Sequence, residues 1–350
     1  NAAIDFGVTG TTATALAGNQ TTQEGSTVVT DTAGNLQFWS NGQTVFDRNG
    51  AAMPNGGGLL GNPSATQTVA AFPALGSPGR YFVVTTSTDV GAAANGTLTY
   101  SVVDMSLNGG LGDVVAGQKN LALGAAATAS EAIVAAPSDD GATFWVLTFT
   151  NNSPNVLAYE FDENGPITGT PVVSVMPTNH YNGYSSLAFS PDMTRLVAQS
   201  STWVPGPNGS QAGLVRVLGL DAATGQVHQE FEWAQPLGPT SGGTGYTADF
   251  SPSGRYVYLS KVFADGRLYR YDLSGATTGA EVKATEQNLG YTGPSGGQVR
   301  RGPDGRMYVA NHAYSQISVV NAPDDVVDPD FVPVGFGLAA PAASRFGLPQ

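Results

Sequence analysis

Cysteine is absent from the 350 residues, which excludes disulfides and thiolate metal sites. No run of 18 apolar residues occurs, so membrane insertion is not expected. The opening NAAIDFG has neither the charged nor the apolar region of a leader, so an exported chain is expected here in its mature form. Basic residues are scarce: 14 Lys and Arg against 27 Asp and Glu leave a formal net charge of −13. Such a surface repels polyanions, so no nucleic-acid partner is expected. Only 12% of residues are charged, and the acidity reads as a solubility feature rather than a dedicated electrostatic site. In place of these, 46 Gly and 22 Pro are spread evenly along the chain. They call for many turns and few helices, with no linker, hence one domain over 1–350.

The turns repeat. FSPDMTRLVAQS (189–200), FSPSGRYVYLS (250–260) and RGPDGRMYVAN (301–311) share one pattern, a turn followed by a strand of alternating apolar residues. VVTDTAGNLQFWS (28–40), FPALGSPGRYFVVTT (72–86) and VAAPSDDGATFWVLT (134–148) precede them. Pro78, Pro137, Pro191, Pro252 and Pro303 are separated by 59, 54, 61 and 51 residues. Third and fourth strands follow, as in GRLYRYDLSG then EVKATEQNL, or GLVRVLGLDAATG then QVHQEFEWA. Four-stranded antiparallel units at this spacing describe an all-β fold, a β-propeller. Dividing the length by the period gives seven blades, the last shared between SRFGLPQ (344–350) and AAIDFGV (2–8); six blades is the alternative. Residues 246–260 are expected to form two antiparallel strands joined at Pro252 to Gly254.

A more specific pattern occupies the first third. Glu24-Gly25, Asp31 to Leu36, Phe38-Trp39, Gly42 to Val45, Met53 to Gly56, Leu59 to Gly61 and Ser64 to Gln67 follow one another, then YSVVDMSLNGGLGDV (100–114). This series resembles the N-terminal propeller of surface proteins exported by the type IX system of the Bacteroidota, associated with gliding motility and PKD domains. Ser26 stands where that family often has Cys. The resemblance implies a propeller at the cell surface or outside the cell, and it implies no catalytic residues.

Chemical motifs are weak. GPSGG (293–297) places Ser295 in a G-x-S-x-G expression, but a strand rather than a helix is expected after it, so no nucleophile elbow forms. GTGYTA (243–248) falls on an expected strand, not at a helix N-terminus. His180, His228 and His312 share no metal-ligand spacing. SDDG (138–141) reads as an ordinary turn. Asp324, Asp325, Asp328 and Asp330 could in principle supply oxygens to calcium, the one cofactor considered, although a solvated acidic turn is the favoured reading. Aligning the blades on their turns places Glu24, Gln67, Glu131, Ser185, Thr247 and Gln298 at equivalent points of the innermost strands. There they are expected to line a central channel and face one another or water. Tyr181, Tyr184, Trp203 and Tyr314, with Trp233, are loop aromatics suited to gripping a glycan or protein. Trp39 and Trp145 lie in strands and are expected in the core.

These features point to an extracellular, non-enzymatic propeller displaying a binding or adhesion surface, with a cell-surface glycan or protein as partner. Two alternatives stand beside it. One is a structural subunit assembling with copies of itself into a filament, sheath or surface layer, favoured by small side chains and few lysines. The other is a glycan-active enzyme using two inner carboxylates.

Overall fold

The computed structural model describes residues 2–7, 14–17, 22–87, 98–124, 129–180, 184–201, 213–235, 244–263, 266–293, 295–340 and 342–350. Among them the fold is all-β, with one short helix, Gly279–Ala284, and one 3-10 turn, Asn108–Gly110. Antiparallel sheets follow one another along the chain at 27–57, 69–122, 129–180, 185–234, 244–293 and 299–337. A separate hairpin joins Ala2–Asp5 to Thr14–Ala17. Within each sheet the strand order follows the chain, so each is a meander of the propeller-blade type. In the sheet at 129–180, Gly165–Pro166 and Val172–His180 share the fourth place beside Ser153–Asp162.

The chain divides into two compact units. One comprises residues 1–23, 181–219 and 229–348, and the other 24–180, 220–228 and 349–350. In the second unit Phe72, Phe82, Ile133, Val146 and Phe161 form a core between the sheets at 69–122 and 129–180. In the first, Val197, Val217, Phe250, Leu259 and Tyr271 do the same between the sheets at 185–234 and 244–293. Apolar residues of consecutive sheets thus close on one another face to face. The expected core positions of Trp39 and Trp145 hold, each 3% exposed. Trp233 is also buried, in the core of the first unit, and is removed from the loop aromatics. Its place in the alternating strand Gln226–Ala234 directs it inward.

Burial falls from the first strand of a sheet to the last. Ser185–Phe189 is buried throughout, whereas Phe331–Gly337 is largely exposed or half-exposed. Pro54, Pro177 and Pro333 all lie on fourth strands, where a missing N–H breaks no ladder and discourages edge pairing.

The repeated sequence encodes one hairpin. In FSPSGRYVYLS the Ser251 N–H donates to Tyr256 O at 2.8 Å, and Gly254 N–H to Ser251 O at 2.9 Å. The Tyr256 N–H donates to Ser251 Oγ at 3.1 Å. Ser138 with Thr143, and Ser190 with Arg195, repeat the bonds. The fourth turn residue is left-handed: Gly141 at φ 67°, Gly254 at 75° and Gly305 at 79°. Met193 occupies the same place at φ 59°. A left-handed non-glycine residue costs roughly 1–2 kcal/mol. Met193→Gly is therefore expected to raise the melting temperature by about 2–4 °C, and Gly254→Ala to lower it, both read by calorimetry. The expected strands over 246–260 are present as Thr244–Phe250 and Tyr256–Val262, antiparallel about this turn.

Two expectations are corrected. EVKATEQNL is not one strand: Thr278 and Glu281 form a reciprocal capping box that starts a helix, buries Val282, and delays the strand to Gln287–Gly293. Residues 344–350 form no strand and so do not pair as a sheet with Ala2–Asp5, which pairs with Thr14–Ala17. In the first unit the C-terminal segment instead receives the Gln298 N–H at Phe346 O (2.7 Å) and donates Phe346 N–H to Gln23 O (3.1 Å).

Candidate functional site

All six inner-strand polar residues are buried: Glu24 is 8% exposed and Gln67, Glu131, Ser185, Thr247 and Gln298 are 0–1%. Several of them accept hydrogen bonds from the backbone of a neighbouring segment. In the second unit Thr66 donates its N–H (2.9 Å) and its Oγ1 hydroxyl (2.8 Å) to Glu131 Oε2. Gln67 Nε2 donates to Gln350 Oε1 at 2.8 Å. In the first unit Val299 N–H donates to Thr247 Oγ1 at 2.8 Å, and Leu348 N–H to Gln298 Oε1 at 2.9 Å. Ser186 Oγ likewise accepts from Ala248 N–H at 3.2 Å. Ser185 lies opposite Ser200 in its sheet. The first strand of a meander has an unpaired edge, and buried N–H groups there need acceptors. Thr247 and Ser186, each on the first strand of the preceding sheet, supply two of them. Part of the chemistry of these buried polar residues is structural stitching.

A second cluster lies in the first unit, at the end of the sheets where first strands begin. Tyr184 packs on Tyr246 (ring centroids 5.6 Å) and Phe263 (5.4 Å). Phe346 meets Tyr246 at 6.0 Å and Phe263 at 5.6 Å, and stacks on His312 at 4.0 Å. Phe263 is 36% exposed and left-handed at φ 58°, an outlier for a bulky residue, held by its N–H to Ser295 O at 3.1 Å. Burial, aided by the charge of Arg345, lowers the His312 pKa below the usual histidine range, favouring the neutral ring. Tyr314 is 44% exposed, and its carbonyl accepts the Ser344 N–H at 2.7 Å. Of the loop aromatics read from sequence, Tyr184 joins the cluster and Tyr314 borders the same C-terminal segment. Tyr181 and Trp203 lie outside the described residues. Sequence reasoning missed Tyr246, Phe263 and Phe346, whose only local signal is an aromatic residue beside a turn.

Charged groups are buried in the same unit. Asp249 is 5% exposed and Arg300 8%. Asp249 accepts the Phe250 N–H at 2.8 Å and the Arg301 N–H at 2.9 Å. Burial raises its pKa against the pull of Arg300 and Arg301, and burial lowers that of Arg300 against the pull of Asp249.

Other motifs resolve into structure. Val299–Arg301 follows Ser295 as a strand. GTGYTA runs into the strand Thr244–Phe250. His180 stacks on Phe149 at 3.9 Å, and His228 is exposed. In SDDG, Asp140 accepts from Ser138 Oγ (2.7 Å) and Ala142 N–H (2.9 Å), as a turn requires.

No family model and no curated relative matches the chain. Solved structures do. The chain is similar to Kuenenia stuttgartiensis hydrazine synthase, at 15% identity over 85% of this chain and 84% of that one, with a TM-score of 0.52. It is also similar to the beta-propeller domain of Myceliophteria thermophila Cps50 (Swd1), at 11% identity, 81% and 79% coverage and a TM-score of 0.46. A third is the PQQ-bound form of aldose sugar dehydrogenase from Streptomyces coelicolor, at 14% identity, 89% and 92% coverage and a TM-score of 0.45. At these identities the likeness concerns the fold, which is of the propeller type. The neighbours include enzymes.

The cofactor expectation is corrected on both counts. One of the similar solved structures, at 14% identity, is a PQQ-bound form. The calcium candidate fails on geometry. Asp325 Oδ1 accepts the N–H groups of Val327 (2.8 Å) and Asp328 (2.9 Å), and Asp328 accepts that of Asp330 (2.9 Å). Asp330 accepts from Asn321 Nδ2 (3.0 Å), and Asp324 takes the Ser253 N–H (2.9 Å). Asp325 and Asp328 cap successive turns, while Asp324 and Asp330 are tied to Ser253 and Asn321. Among the described residues no group of three or more His, Asp or Glu is placed to hold a metal.

Proposed function

We propose that this chain is an extracellular, non-enzymatic propeller that displays a binding surface, with Tyr184, Phe263 and Tyr314 gripping a cell-surface glycan or protein. The carrying observation is the left-handed, exposed Phe263 braced between Tyr184 and Phe346. Strain of this kind persists where neighbours over-determine it, and it clusters at ligand clamps. Aromatic faces beside tyrosine hydroxyls suit sugar rings and peptide side chains alike. The use of Glu131 in strand stitching supports a scaffold over an acid–base role for that carboxylate. No helix among the described residues is long and apolar enough to cross a membrane. The resemblance to type IX-exported surface proteins supplies the location. The blade count we favour is seven, with the N-terminal hairpin Ala2–Asp5 and Thr14–Ala17 in the seventh place; Ile4 and Phe6 packed with Tyr308 and Ile317 support it.

A glycan array and a cell-surface binding assay test the reading. Wild type should bind, and Phe263→Ala and Tyr314→Ala should each weaken binding about tenfold, the scale of an aromatic anchor. Equal binding by wild type and both variants would remove this surface from the account.

Assembly with copies of itself remains a second reading, favoured by the uncharged outer strand Val172–His180. Its Val173 is 46% and its Val175 68% exposed. Size-exclusion chromatography that finds monomers at all concentrations would dismiss it.

A further inference from the structure

We propose that Asn108 is a site of spontaneous deamidation, a modification that turns its amide into a carboxylate and that the fold, not the sequence alone, directs to this residue. Deamidation begins when the backbone nitrogen of the next residue attacks the asparagine Cγ. A glycine there, lacking Cβ, hinders the attack least. The chain has eight Asn-Gly pairs. Those of Asn95, Asn182 and Asn208 lie outside the described residues, which leaves five to compare. Where the amide is held, or the glycine N–H is bonded, that hydrogen bond has to open first.

Four of the five are held. Asn41 is 7% exposed, its Oδ1 accepts the N–H groups of Gln43 (3.0 Å) and Thr44 (2.9 Å), and Gly42 N–H donates to Ser40 Oγ at 3.1 Å. After Asn49, Gly50 N–H donates to Asp47 O at 2.9 Å. Asn55 is gripped at both ends of its amide: Nδ2 donates to Val114 O at 2.9 Å, and Oδ1 accepts from Lys119 Nζ at 2.9 Å. After Asn164, Gly165 N–H donates to Asp162 Oδ1 at 3.2 Å. Asn108 differs. Among the described residues neither its side chain nor Gly109 N–H makes a hydrogen bond. The bonds of its turn, Gly110 N–H to Leu107 O (3.0 Å) and Leu111 N–H to Asn108 O (3.2 Å), use neither group. Asn108 and Gly109 are both exposed, at φ 51° and 64°, and the space where a Gly109 Cβ would stand is open to 4 Å.

The chemistry needs nothing but water. The Gly109 nitrogen gives up its proton and bonds to Asn108 Cγ. The bond from Cγ to the amide nitrogen breaks, and ammonia leaves with the proton. Water then opens the five-membered succinimide. Entry at Cγ leaves aspartate, whereas entry at the main-chain carbonyl leaves isoaspartate, with an extra carbon in the backbone. One water is consumed and one ammonia released, without redox change. Either product adds a negative charge to a chain whose net charge is −13. The new carboxylate stands two residues from Gly110, whose carbonyl accepts Arg48 Nη2 at 2.5 Å from the sheet at 27–57. The inference does not depend on the glycan-binding reading.

The test ages the whole chain in mildly alkaline buffer and follows each Asn-Gly peptide by mass spectrometry, with the same chain in urea as the unfolded control. In the folded chain the Asn108 peptide should gain one mass unit at least about fivefold faster than those of Asn41, Asn49, Asn55 and Asn164, the factor by which one hydrogen bond slows an attack that must open it. In urea, where those bonds are gone, the five should convert at similar rates. Equal rates in the folded chain would mean that the dipeptide alone decides, and would overturn the proposal. So would a lead by any of the other four, or an Asn108 that stays intact in the folded chain over the period in which it converts in urea.

Discussion

Removal of residues 344–350 will lower the melting temperature by roughly 10 °C or more. The segment is not a regular strand, yet it is bonded along its length. In the first unit Ser344 N–H donates to Tyr314 O (2.7 Å), and Leu348 N–H to Gln298 Oε1 (2.9 Å). In the second, Gln350 N–H donates to Ser26 O (3.1 Å), and Gln350 Nε2 to Val69 O (2.7 Å). Thr27 Oγ1 donates to Gln350 O at 3.0 Å. Each such bond contributes on the order of 1 kcal/mol. Loss of the half-buried Phe346, stacked on His312 and edged by Tyr246 and Phe263, adds about 1–3 kcal/mol. At about 2–4 °C per kcal/mol the sum exceeds the shift of an ordinary surface deletion several-fold. Scanning calorimetry decides it, and an unchanged melting temperature would mean that the C-terminal segment holds nothing together.

Asp249→Asn carries the second large effect. Asparagine keeps the size of the side chain but leaves Arg300 and Arg301 without their counter-charge. Removing one partner of a buried charge cluster costs about 3–5 kcal/mol, so a fall of roughly 10 °C is expected. Asp104→Asn, in a partly exposed pair with Arg80 at 3.1 Å, should cost about 1 kcal/mol or less. The comparison separates burial from charge. If both variants fall equally little, Asp249 is not the keystone of that cluster.

The blade unit was legible because it is local. A Ser-Pro or Gly-Pro turn, a residue that tolerates positive φ, and a period-2 strand all lie within a dozen residues, and the related turns along the chain reinforce one another. The capping box at Thr278 and Glu281 was equally local but was passed over, since EVKATEQNL has an apolar pattern that a strand also accepts. The inner polar residues were legible as a set, whereas their partners were not. Glu131 finds Thr66, 65 residues away, and Gln67 finds Gln350, 283 residues away, and no spacing rule connects either pair. Phe263 and Phe346 meet for the same nonlocal reason. The acidic run 324–330 misled because carboxylates that cap turns and carboxylates that hold calcium look alike until their acceptors are assigned.

The central claim, that the inner carboxylates belong to a scaffold and the aromatic end does the binding, is tested most directly by one paired measurement. Wild type and a Glu24→Gln, Glu131→Gln double variant are incubated with the glycan best retained on the array, and both retention and released product are followed. Glutamine keeps an acceptor oxygen for the Thr66 donors while removing charge. The account predicts equal retention by the two proteins and no released product from either. Release by wild type that disappears in the double variant would contradict it.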